Sequence, residues 1–280
     1  MIGRRLHGFR RVGDAIVLSC MALAGGTAWA QQSPALDRVS IWLGGYYAHA
    51  DTVVGARDNG GPASGNIDLE NDLGFNDHKT IPRVRLDVLL GDSQGLSLDY
   101  YGVSRSGSRS LARDISYGGS NFSTAQTVRG RLDLDVGSIA DRWWFGRGND
   151  AFGLGLGAAY YRLRADIRGE AAVNGVPLAP ASSATRVHAW APMLQLGWRH
   201  AFSGRWRVYF DASGVKKNGG RLSGHIYNAA LGTEWFPRPK LGLGAEYGYT
   251  RIVLHQHRDT YDAGLDMKLH GPSLFLRMRF

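Results

Sequence analysis

From Val39 onward, apolar and polar residues alternate with a period of two rather than 3.6. Val84, Leu86, Val88 and Leu90 interleave with Arg83, Arg85 and Asp87, and Leu96, Leu98 and Tyr100 with Ser97 and Asp99. Val128, Leu132, Leu134 and Val136 interleave with Arg129, Arg131, Asp133 and Asp135, and Trp206, Val208 and Phe210 with Arg207, Tyr209 and Asp211. This period gives each strand one apolar and one polar face, a property that a soluble sandwich shares. The connections discriminate. Short polar turns at 91–95, 146–150, 203–205 and 237–240 alternate with long polar stretches at 51–79, 106–125, 169–185, 216–221 and 255–263. An up-and-down transmembrane barrel has this rhythm, with tight turns at one end and long loops at the other. The pattern predicts an all-β, antiparallel transmembrane barrel of about ten strands, with eight or twelve as alternatives. The strands are expected near 38–50, 79–90, 96–106, 125–143, 151–168, 186–201, 206–215, 222–236, 241–254 and 264–280. Both termini then fall on the periplasmic side.

The final strand carries the most specific signal. Leu274, Leu276, Met278 and Phe280 share one face, and the chain stops at Phe280. A terminal aromatic after alternating apolar residues resembles the C-terminal signature that the outer-membrane barrel assembly machinery receives, so Phe280 is the expected assembly signal. Trp143, Trp144, Phe145, Trp198, Trp206, Trp235 and Phe236 lie beside the short turns. There they are expected to form the aromatic anchor of a membrane interface. Within the fifth strand and the last strand the polar parity shifts, which predicts either a bulge or outer halves that have left the hydrocarbon; the second is preferred.

Composition narrows the class. Gly is 39 of 280 residues and Pro only 9, so the glycine excess is no collagen or proline-rich linker signal. Mean hydropathy is −0.23, and past the N-terminus no apolar run is long enough for a membrane helix. A single cysteine excludes a disulfide scaffold and any CxxC site. Residues 1–30 read as a secretory signal peptide, with Arg4, Arg5, Arg10 and Arg11 preceding the apolar stretch Ile16 to Ala24 and the Ala28-Trp29-Ala30 cleavage site. The expected organisation is a cleaved signal at 1–30 and an outer-membrane barrel domain at 31–280, exported to the bacterial outer membrane.

The stretch Ile67-Asp68-Leu69-Glu70-Asn71-Asp72-Leu73-Gly74, followed by Arg83 to Leu90 and Leu96 to Tyr101, resembles small proteobacterial outer-membrane β-barrel proteins of undetermined function. The opening Leu43-Gly44-Gly45-Tyr46-Tyr47 fits the same group. The resemblance covers about Val39 to Arg109 and implies the barrel and its location. It implies no catalytic residue.

Assigning the polar parity of every strand to the lumen predicts an internal charge network. Its bases are Arg83, Arg85, Arg129, Arg131, Arg199, Arg207, Arg277 and Arg279; its acids are Asp87, Asp99, Asp133, Asp135, Asp141, Asp211, Glu234 and Glu246. The two sets balance. Charges in a narrow interior must pair, because an unpaired buried charge is costly, so the expectation is a salt-bridged plug rather than a conduit. Inward Gly153, Gly155, Gly157, Gly242, Gly244 and Gly248 would make room for long side chains opposite. A second set of bases flanks the long loops: Arg105, Arg164, Arg168, Lys216, Lys217 and Arg251, with Arg109, Arg113, Arg186, Arg221 and Arg258 nearby. Their expected partner is the phosphate of lipopolysaccharide, which guanidinium groups pair well; solvated loop charge is the alternative.

Other chemistry is weakly signalled. His255-Gln256-His257-Arg258-Asp259 with Asp262 could ligate a metal, but a solvated loop explains it as well, and no metal or cofactor is assigned. His270 and Ser273 could suggest a lipid A deacylase, without a third catalytic member. Ten strands would suit an omptin-like protease built on Asp51, Asp58, Asp259, Asp262 and the loop histidines, although no matching motif is present. Net charge is +9, yet the bases form no basic-aromatic motif for nucleic acid. The sequence is therefore read as a monomeric outer-membrane barrel with a structural or surface-interaction role and no catalytic residue. A narrow porin or uptake channel is the alternative, and an outer-membrane hydrolase a more distant one.

Overall fold

The alternating segments pair as the periodicity requires. The computed structural model describes residues 33–58, 64–110, 115–117, 120–122, 127–170, 172–173, 176–177, 181–219, 222–257 and 261–280; the predicted signal segment lies outside them. Ten long strands form the wall: β1 Val39–Asp58, β2 His78–Leu90, β3 Gln94–Ser110, β4 Thr127–Phe145, β5 Asp150–Glu170, β6 Ala181–Ala201, β7 Trp206–Lys217, β8 Leu222–Arg238, β9 Leu241–His257 and β10 Tyr261–Arg279. Each is antiparallel to its neighbours, and β1 closes on β10 from Ser40↔Arg279 to Asp58↔Tyr261. Closure leaves no open edge along the wall. A further strand, Ser64–Asp68, folds back on β1, so β1 runs beyond the 38–50 expected from sequence. The turns at Gly91 and Gly148 use positive φ (65° and 60°), which glycine adopts without steric cost.

Each strand keeps one parity inward throughout, but the apolar side of the wall inverts along the barrel axis. Toward the short turns, Leu98, Ile139, Leu154, Leu156, Leu196, Leu231 and Leu276 point outward and are exposed, while Arg85, Arg142, Arg199, Arg207, Glu234 and Arg277 are buried inside. Toward the long loops, Val54, Val128, Leu132, Leu134, Ile167, Ile252 and Met267 are buried inside, while Arg131, Arg164, Arg168, Arg186, Lys216 and Lys268 are exposed outside. The cause is the solvent. Hydrocarbon around the lower wall requires apolar residues outside, and water around the upper wall drives them inside. The parity shifts expected in the fifth and last strands are this inversion. β4 and β5 pair in unbroken register from Thr127↔Glu170 to Phe145↔Phe152, so no bulge intervenes.

Two aromatic girdles bracket the outward apolar belt. Trp143, Phe145, Phe152, Phe202, Trp206, Trp235 and Phe280 ring the short-turn end, and Tyr47, Tyr100, Trp190, Tyr227, Tyr247 and Tyr249 ring the other side; all are exposed. Tyr227 to Trp235 on β8, like Phe152 to the outward Tyr160 on β5, is a span of nine residues counted inclusively, the length that crosses hydrocarbon at a tilt. Two residues expected in the lower girdle face inward instead. Phe236 is 1% exposed beneath Arg207 and Arg279, and Trp144 packs against Arg142 and Arg199.

Candidate functional site

Three layers of side chains cross the lumen. The lowest is a floor carried by the segment just before β1. Asp37 accepts hydrogen bonds from Arg207 (2.8 Å) and lies 2.9 Å from Arg277 and 3.6 Å from Arg279. Arg277 also pairs with Glu234 and donates to Ser40 Oγ. Burial pushes the Asp37 carboxyl up, but Arg277, Arg207 and Arg279 outweigh it and hold it below the ordinary value of 3.8. A lowered folded value means that this contribution to stability is complete above 3.8 and is lost as pH falls through the lower folded value. Segment 33–38 should therefore resist protease near neutral pH and become cleavable only in strong acid. Asp37→Asn should expose it at neutral pH, and equal protection of the two proteins would show that the ion pairs do not hold the floor.

The middle layer spans the barrel. Asp211 on β7 accepts from Arg85 on β2 (2.9 Å), Arg142 on β4 (2.9 Å) and Arg199 on β6 (2.8 Å). Arg85 also meets Asp87 at 3.0 Å. Arg83 bridges Asp99 and Glu246, and Glu246 accepts from the Tyr209 hydroxyl at 2.7 Å. The guanidinium groups stack on rings: Arg85 and Arg277 on Trp42, Arg142 and Arg199 on Trp144. Gly153 leaves the space that Arg142 and Trp144 fill; a Cβ there would meet them at 2.8–2.9 Å. Next to this network, Tyr46, Tyr101 and Tyr161 line a cavity of about 100 Å³.

The upper layer is apolar, and its lid is the segment that carried the family resemblance. Leu69, Leu73 and Phe75 are buried in the main hydrophobic cluster with Val128, Leu132 and Leu134. The segment holds its own turn: Asp68 accepts from the Asn71 N–H (2.8 Å), and the Phe75 N–H donates to the Leu69 carbonyl (3.0 Å). It presses on the wall at Gly107 and Gly130, where a Cβ would meet Phe75 at 2.5 and 2.8 Å. Arg105 pins it from below, donating to Thr52 Oγ1 (2.7 Å) and the Asn76 carbonyl (2.6 Å) and pairing with Glu70 (2.6 Å).

The structure thus divides the predicted network. Arg83, Arg85, Asp87, Asp99, Arg199, Arg207, Asp211, Glu234, Glu246, Arg277 and Arg279 have inward parity. Arg129, Arg131, Asp133 and Asp135 are on the outer face of β4, because their apolar neighbours Val128, Leu132 and Leu134 fill the upper lumen, and Asp141 shares their parity lower on the strand, where its neighbour Arg142 is the inward charge. There Arg131 pairs with Asp133 at 2.9 Å, Arg162 with Asp135 at 3.6 Å, and Asp141 accepts from Gln94. Sequence reasoning missed Asp37, Arg142, Glu70 and the inward role of Arg105. The rim prediction is corrected accordingly. Arg105 is 4% exposed and faces the lumen, and Lys217 has inward parity, with its ammonium donating to the Gly219 carbonyl. Arg164, Arg168, Lys216 and Arg251 do lie outside, and Arg251 pairs with Asp266 at 2.9 Å. Arg113, Arg221, Arg258 and Asp259 lie outside the described residues. Ser273 is buried inside while His270 faces outward, so the two cannot act as nucleophile and base. His257 is exposed and pairs with Asp262.

With this geometry in hand, the chain is similar in shape to the outer-membrane protease OmpT from Escherichia coli. The TM-score is 0.57 at 12% identity, over 91% of this chain and all of that one. It is similar also to the translocator domain of the autotransporter NalP from Neisseria meningitidis, with a TM-score of 0.50 at 11% identity, over 86% of this chain and 88% of the other. The fold is that of outer-membrane β-barrels. No protein-family model matches the sequence, and no curated protein does. At these identities the likeness covers the architecture and carries no activity with it.

Proposed function

We propose that the protein is a closed, monomeric barrel of the bacterial outer membrane whose working surface is its outer rim, with phosphorylated lipid as the ligand. The supporting observation is a set of like charges in register on the outer wall above the lipid belt, Arg164 four and Arg168 eight residues past the girdle residue Tyr160. Arg129 stands opposite Arg168 across β4 and β5, and Arg164 opposite Arg186 across β5 and β6; all four are exposed, and Arg164 also has Asp133 opposite it on β4. Like charges directly opposite on a sheet are destabilising. A phosphate between each pair turns that repulsion into charge-assisted hydrogen bonding, for which the guanidinium fork is well shaped. Lipopolysaccharide carries such phosphates, and Phe280 serves as the signal read by the assembly machinery.

A single exposed ion pair contributes roughly 0–1 kcal/mol, so the test replaces Arg129, Arg164, Arg168 and Arg186 together by Gln. The variant should lose more stability relative to the parent in lipopolysaccharide than in plain detergent, where relief of the Arg–Arg repulsion offsets the lost attraction between Arg164 and Asp133. Equal melting in both media would reduce the rim to solvated charge. Because side chains cross the lumen at three levels, the purified protein in a planar bilayer should give only small, rare openings. Steady large conductance steps would favour a porin instead.

A further inference from the structure

At the seam where β1 closes the barrel, the register assembles a row of imidazoles that sequence spacing conceals. His49 on β1 lies opposite His270 on β10 and opposite His78 on β2. The ring centroids are 5.1 Å apart for His49 and His270 and 5.0 Å for His49 and His78. All three face outward at the level where the tyrosine girdle gives way to charged residues. Two carboxylates join them. Asp51, two residues along the same face of β1, lies 3.4 Å from His49 Nε2; Asp77 lies 3.8 Å from His49 Nδ1 and 2.9 Å from His78 Nδ1.

We infer that His49, His270 and Asp51 form a binding site for a divalent transition-metal ion of the zinc type, placed across the closing seam. Their donor atoms all lie within 4.8 Å of one another. Ligands around one zinc at 2.0–2.1 Å stand about 3.3 Å apart, a contraction that small rotations of exposed side chains supply. Two imidazoles and one carboxylate are a borderline donor set, which suits zinc, copper or nickel; calcium and magnesium prefer oxygen alone.

The surroundings choose the ligand atoms. Tyr247 Oη lies 3.1 Å from His270 Nδ1, which leaves Nε2 to face the ion. The Asp77 carboxylate sits on the Nδ1 side of His49, which turns Nε2 toward Asp51. A metal-bound histidine commonly has its other ring nitrogen held this way. His78 binds Asp77 and is not itself a ligand. The fourth position is open to water or to an external ligand. Because β1 and β10 each supply a ligand and the row exists only in the closed barrel, the ion stabilises the folded state by binding it alone.

The test uses the full mature protein without a polyhistidine tag, folded in detergent and titrated with zinc by calorimetry, with the heat-modifiable gel transition followed in parallel. One zinc per chain is expected, with an upward shift of the transition that chelator reverses and that calcium or magnesium does not reproduce. His49→Ala, His270→Ala and Asp51→Asn should each weaken binding more than about tenfold. His78→Ala and His257→Ala should leave it within about threefold. The zinc-free transitions of all variants should match the parent, because the side chains face outward; His270→Gln replaces His270→Ala if removal of the ring disturbs folding. Unchanged zinc affinity in the His49→Ala, His270→Ala double variant would overturn the site. Loss of binding in His78→Ala with retention in His270→Ala would overturn this ligand set in favour of His49, Asp77 and His78.

Discussion

Asp211→Asn is expected to destabilise the folded barrel by about 3–5 kcal/mol, the range for removing one partner of a buried ion pair. Asp211 is the acceptor shared by Arg85, Arg142 and Arg199, which come from three separate strands and are each buried. An amide of equal size leaves the packing intact and removes the charge that holds three guanidinium groups together. Those groups cannot reach bulk water without breaking their stacking on Trp42, Trp144 and Tyr209. Urea unfolding in lipid vesicles, followed by tryptophan fluorescence, reads the difference. Asp135→Asn is the matched control. Its partner Arg162 stands 3.6 Å away on the outer face, both side chains are well exposed, and the expected change is about 0–1 kcal/mol. A loss below about 1 kcal/mol for Asp211→Asn would mean that water already solvates and screens the arginines, and the lumen would then be wet rather than plugged.

The inversion of the wall supplies the second large effect. Leu134 and Asp133 are adjacent on β4, and strand alternation alone would give Leu134 to lipid and Asp133 to the lumen. In the structure Leu134 is 0% exposed in the upper core, and Asp133 is outside with Arg131 and Ser104. Leu134→Ala should therefore leave a cavity among Val128, Leu132 and the lid and cost about 2–5 kcal/mol. Asp133→Asn should cost no more than an exposed ion pair, about 0–1 kcal/mol. The same urea titration decides both. The reverse order, with Asp133→Asn the more damaging, would return the upper strand to the orientation that simple alternation suggests.

The sequence by itself determined the barrel. The period of two, the alternation of short turns with long loops, and the even strand count are local properties, and local hydrophobic pattern is sufficient to define a strand with two unlike faces. It also placed most members of the lower network, since Arg85, Arg199, Arg207, Asp211 and Arg277 alternate with outward apolar residues wherever hydrocarbon surrounds the wall. The pattern does not say which face is inside, because apolar residues face outward in lipid and inward in water. On β4 the change comes between the inward Val136 and the outward Ile139. The outward Trp143 and Phe145 mark the lipid side of that strand and would have shown Arg142 to be internal and Arg131 external. What only the tertiary structure decided is every partnership across strands or across the lumen. Asp37 meets Arg207 and Arg277 because a segment before the first strand turns under the barrel. Arg105 points inward to hold a lid formed some thirty residues earlier in the chain. His49, His78 and His270 share a row because the first and last strands close in one particular register. Register is fixed by closing the whole cylinder with each face in its proper solvent, a condition that no single stretch of sequence contains.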